Sequence, residues 1–167
     1  MRFAAIVALA AALISAGGAS AQADPGPPWG PADPHFNLQI ILRAVAGGPD
    51  KAFGLAEFRQ PINDGQKIVY LDTRVRDLAP NSTYRLQRAV DTNLDGVCTG
   101  TNWLTLGRGS TPQTITTDER GTGREVLWRD LSAIPSGSRF DIHFRVVDAV
   151  TNAVVLESGC YTYTVAP

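Results

Sequence analysis

The chain predicts an all-β fold: a single antiparallel β-sandwich of about eight or nine short strands. Three features carry that expectation. From Phe36 onward apolar residues recur with a period of two, and turn-forming residues punctuate the chain at short intervals. No stretch shows the 3.6-residue apolar period of a convincing amphipathic helix.

The elements follow in order. Leu38–Val45 and Ala52–Arg59 are the first expected strands, divided by the turn signal Gly47-Gly48-Pro49-Asp50. After Asn63-Asp64-Gly65, the stretch QKIVYLDTRVRDL sets Val69, Leu71, Thr73 and Val75 on one face and Asp72, Arg74 and Arg76 on the other. Pro80-Asn81-Ser82 then turns the chain into YRLQRAV, where Tyr84, Leu86 and Val90 share a face. Arg88 has the same parity as these apolar residues. It therefore lies near a sheet edge with its stem on the core, or meets a buried acid. Shorter strands are expected near Trp103–Leu106 and Gln113–Thr117, then a longer one over Arg124–Leu131. RFDIHFRVVD alternates most strictly, with Phe140, Ile142, Phe144 and Val146 opposed to Asp141, His143 and Arg145. The last strands are expected near Ala153–Leu156 and Cys160–Val165, and Gly159, which interrupts this last apolar run, is a position for a bulge or strand switch.

The N-terminus has a different character. Arg2 heads an apolar run of about twelve residues from Phe3 to Ile14, followed by Ala19-Ser20-Ala21 and Ala21-Gln22-Ala23, both of A-x-A form. The run is too short to span a bilayer, so residues 1–23 read as a cleaved signal peptide rather than a membrane anchor. No cysteine stands near the cleavage point to take a lipid. Residues 24–35, with five prolines before His35, form an extended leader, and the folded domain runs over residues 36–167. The expected location is the periplasm or the extracellular space. Arginine outnumbers lysine thirteen to two, a bias that fits a GC-rich bacterial genome. Loss of Arg2 moves the net charge from −1 to −2, which gives no electrostatic reason to expect nucleic acid or an anionic membrane as partner. A protein or glycan partner is left as the expectation.

Two cysteines, Cys98 and Cys160, stand in the exported part with no neighbouring histidine and no C-x-x-C spacing. In an oxidising compartment such a pair predicts a disulfide.

Two stretches resemble known sandwich families. DLAPNSTYRL, Asp77 to Leu86, is similar to the L-x-P-x-[ST]-x-Y tyrosine corner of fibronectin type III and other immunoglobulin-like domains. The resemblance implies that the Tyr84 hydroxyl bonds back to the main chain, a structural role. Thr116 to Ile142 resembles the T-D-x-x-G … L … P-x-G-x-[FY] pattern of prealbumin-like and carboxypeptidase-regulatory-like modules. It implies a hairpin at the Asp-Gly turn and a core strand after the P-x-G turn, and no particular function.

The strongest hint of chemistry is Asp91-Thr92-Asn93-Leu94-Asp95-Gly96. Oxygen side chains at alternate positions followed by glycine begin a calcium loop. A full EF-hand needs an acid at the twelfth position, where Asn102 stands, and flanking helices, where YRLQRAV predicts a strand. A looser calcium site would use Asp91, Asn93 and Asp95. The competing reading is an Asx-type turn relieved at Gly96.

Other candidates are scattered. His143 stands between Asp141 and Arg145 on a polar strand face, and Asp118, Glu119, Asp130 and Asp141 are acids by type only. G-x-S-x-G is absent, and the Gly107–Thr111 and Gly121–Arg124 stretches lack a P-loop lysine. Arg74, Arg76 and Arg85 face outward and would suit a carboxylate or anionic glycan, though Asp72 and Asp77 nearby fit a mixed-charge solvated face. The sequence therefore predicts an exported, non-catalytic domain of the cell envelope or extracellular space, without a cofactor. Its alternatives are a calcium-stabilised adhesion module and a hydrolase built on loop carboxylates.

Overall fold

A computed structural model of the chain describes residues 37–61 and 66–167. The expected signal peptide and proline-rich leader lie outside these residues. Every regular element described is a strand. Alternation dictates the long ones. β1 (Asn37–Ala44), β2 (Phe53–Arg59), β3 (Ile68–Arg76) and β9 (Gly123–Asp130) form an antiparallel series in the order β1-β2-β3-β9. In β3 the buried residues are Val69, Leu71, Thr73 and Val75, so the period-two reading of that strand sets the inner face.

A second series continues from the other side of β1. β4 (Thr83–Asp91) pairs with β10 (Arg139–Asp148), β10 with β11 (Val154–Ser158), and β11 with β1. A bulge between Val146 and Val147 leaves both side chains buried. β12 (Tyr161–Thr164) lies along the first half of β10, beyond β11. The last apolar run is thus one interrupted strand. The Phe144 amide near the break donates instead to Ser158 Oγ at 2.9 Å.

The segment between β4 and β9 closes the ring. β5 (Leu104–Thr105) and β8 (Ile115–Thr116) pair with β4, β6 (Gly107–Arg108) pairs with β9, and β7 (Thr111–Pro112) folds back on β6. A bridge from Thr117 to Gly123 completes the join. One mixed, nearly closed, barrel-like sheet of 12 strands therefore stands where two antiparallel sheets of eight or nine strands were expected. The reason lies in these two-residue strands, which are too short for alternation to show. The parallel contact is a single pair, Arg108 with Trp128.

The core lies inside the ring. Phe58 packs edge-on to Tyr163 at 4.7 Å between centroids and to Phe144 at 6.2 Å, while Phe140 meets Tyr163 at 5.4 Å. Leu42, Leu71, Leu127 and Leu156 are fully buried around them. The two stretches that resemble sandwich motifs dock on each other. The Tyr84 hydroxyl accepts the Ala79 amide at 3.1 Å, and Thr117 Oγ1 donates to Ala79 O and accepts from the Ser82 amide. Gly121 (φ +73°) passes so close to this turn that an added Cβ would lie 2.1 Å from Leu78 O.

Candidate functional site

The Asp91–Gly96 loop follows β4 and is held by its own carboxylates. Asp91 Oδ2 accepts the Thr99 and Gly100 amides at 2.6 and 2.8 Å. Asp95 Oδ1 accepts the Val97 amide at 2.9 Å, and its Oδ2 accepts from Asn93 Nδ2 at 2.6 Å. The Gly96 amide (φ +73°) donates to Asp141 Oδ2, and Thr162 Oγ1 donates to Asp141 Oδ1. Asp141 is fully buried, opposite Asp91 on the neighbouring strand, and both its oxygens are used. The disulfide Cys98–Cys160, with Cα atoms 5.3 Å apart, ties the loop to the start of β12. Among the described residues no group of three or more His, Cys, Asp or Glu is placed to hold a metal ion. Asp95 Oδ1 holds the Val97 amide as an Asx turn does, and Asp91 Oδ2 holds the loop's far end.

The other candidates do not converge. Asp118 sits in the turn before β9, where the Thr122 and Arg120 amides hold its carboxyl below the ordinary value. Asp130 ends β9 and is lowered by hydrogen bonds from Ser132. Eight residues of strand separate the two ends, roughly 25 Å. His143 lies on β10, stacked against Trp103 at 4.5 Å, with Nε2 3.1 Å from Gly100 O. Arg145 covers the same indole at 4.1 Å and donates to Gln87 Oε1, and desolvation there lowers its pKa. His143 is thus part of an aromatic and cationic stack on the outer face of β4 and β10.

The outward arginines are divided as well. Arg74 and Arg124 converge on Asp72, whose carboxyl is held below its ordinary value chiefly by the Arg124 hydrogen bond. Arg76 lies over the Phe53 ring, while Arg85 is on β4, which does not pair with β3. These residues form a mixed-charge surface and not a single cationic face.

What the structure does bring together is inside. An apolar cavity of about 170 Å³ lies toward the end of the ring where β4 and β9 finish and β3 and β10 begin. Phe58, Leu71, Val90, Phe140 and Phe144 are among its walls, with Thr92 beside them. Two cations also line it: Arg88 from β4 and Arg129 from β9. Arg129 donates to Gly109 O at 3.0 Å. Arg88 meets no buried acid, and among the described residues neither arginine forms an ion pair. Burial, then the like charge of Arg129, pushes the Arg88 guanidinium below its ordinary pKa. Arg88 was visible in the sequence as a cation of core parity. Arg129 carries the same signal, sharing parity with Leu127, but on a strand that alternates less cleanly.

No protein-family model matches the chain, and neither a curated protein nor a solved structure was found to match it.

Proposed function

We propose that the chain is an exported, non-catalytic binding domain whose ligand site is the cavity inside the sheet. The observation that carries this reading is the cavity itself. Core side chains interdigitate to near-crystalline density, and voids beyond the size of a water molecule are few. A space of about 170 Å³ walled by aromatic and aliphatic side chains is of the size that holds a benzene-like molecule, for which about 150 Å³ suffices. Cavities and mouths of barrels are common places for small ligands, because the sheet fixes the walls and the ends give access.

Export is supported by the signal-like pattern of residues 1–23 and by the Cys98–Cys160 bridge, which suits an oxidising compartment. No helix among the described residues is long and apolar enough to cross a membrane. A non-catalytic role is supported by the separation of Asp118, Asp130 and His143 on different parts of the sheet.

The test is a ¹H–¹⁵N titration of the oxidised 24–167 chain with benzyl alcohol, a neutral molecule of the right size. Saturable shifts should centre on Leu71, Val90 and Phe144 and should disappear in Val90→Trp, which fills the space from a partly exposed position. Shifts scattered over the surface, or none at millimolar ligand, would refute the reading.

A further inference from the structure

We infer that the cavity takes a small apolar monoanion, such as an aryl or short-chain alkyl carboxylate, with its acidic group at Arg88 and Arg129. This rests on the reading of the cavity as a ligand site and names the ligand's class.

The two guanidiniums come from strands that do not pair with each other. β4 and β9 flank the short closing segment, and only the curl of the sheet brings position 88 to the same cavity as position 129. Both residues share parity with buried neighbours on their strands, Leu86 and Leu127, so both side chains leave the sheet on its inner face. Among the described residues neither has an ion-paired carboxylate. Arg129 does contribute, behind the Ser132 hydrogen bonds, to lowering its chain neighbour Asp130.

Arginine stays charged at any pH the protein meets, so Arg88 cannot relieve its burial, or the repulsion from Arg129, by losing a proton. Leaving two unpaired charges beside apolar walls is unfavourable. An anion entering the cavity offsets both costs together, and a planar carboxylate matches the forked donors of either guanidinium. Thr92, also at the wall, can supply a hydroxyl donor.

The volume limits the rest of the molecule. A cavity near 150 Å³ takes one benzene ring, so about 170 Å³ accommodates an apolar body of roughly six to eight heavy atoms. Benzoate, phenylacetate and hexanoate fit that description. The folded tail of a long-chain fatty acid does not. Aromatic walls at Phe58, Phe140 and Phe144 favour the aryl acids among these.

Calorimetric titration of the oxidised 24–167 chain with phenylacetate and, separately, with neutral phenylacetamide tests the inference. Phenylacetate should bind at least tenfold more tightly. Arg88→Gln and Arg129→Gln should each remove most of that preference. Equal affinity of the two compounds for the unsubstituted chain would overturn the anion inference and leave the cavity reading standing. Binding of neither would overturn both. Phenylacetate binding unaffected by both substitutions would place the anion elsewhere and refute the assignment. The first comparison needs no variant, so a substitution that unfolds the chain does not decide the matter.

Discussion

Replacing both cysteines, as Cys98→Ala/Cys160→Ala, removes a bridge between positions 62 residues apart in sequence. In the chain-entropy treatment, a loop of that length restricts the unfolded ensemble by about 14 cal/mol/K, or about 4 kcal/mol at 25 °C. In the folded state the loop has other restraints. Asp91 holds the Thr99 and Gly100 amides, Asp141 holds the Gly96 amide, and His143 meets Gly100 O. The native loop therefore keeps its position without the bridge, and the loss falls on the unfolded side of the equilibrium. For a domain of this size about 4 kcal/mol corresponds to a fall in Tm of roughly 12–16 °C. Thermal and urea unfolding of the 24–167 chain, oxidised, reduced and doubly substituted, measures it. The reduced and substituted forms should agree with each other, and amide chemical shifts of residues 91–100 should stay close to those of the oxidised chain. A loss below about 1 kcal/mol, or wholesale loss of the loop's native shifts, would refute the reasoning.

Two further outcomes follow from local geometry. Gly121→Ala puts a Cβ 2.1 Å from Leu78 O at a φ of +73°, whereas Gly137→Ala meets open space at +79°. The second should cost only the left-handed penalty of about 1 kcal/mol, and the first at least about 3 kcal/mol by urea unfolding; equal costs would contradict the close approach. Because Asp91 Oδ2 and both Asp95 oxygens are engaged by the loop's own donors, millimolar calcium should leave the melting midpoint unchanged relative to chelator. A rise of several degrees that vanishes in Asp95→Ala would establish the calcium-stabilised alternative.

The sequence by itself determined the all-β character, the long strands and the pairing of Cys98 with Cys160. Period two is a local property, so Val69 to Val75 and Ile142 to Val146 announce their buried face without knowledge of neighbours, whereas Asp141, of outward parity, is buried because the Gly96 amide and Thr162 close over it. A lone pair of cysteines leaves one intramolecular partner each. The sequence also marked Arg88 as out of place. It could not supply what Arg88 faces, because that depends on which strands meet across the ring. Across the closing side of the ring β4 and β9 are joined by strands of two residues, and no periodicity survives in so few positions. For the same reason an open sandwich was expected where the sheet nearly closes. The loop at Asp91 was legible as oxygen-rich, but whether those oxygens bind backbone amides is a matter of chain reversal around Gly96. The cavity belongs wholly to the tertiary structure: its walls come from β2, β3, β4, β9, β10 and β12, and an unfilled space between side chains leaves no mark on the residues that surround it.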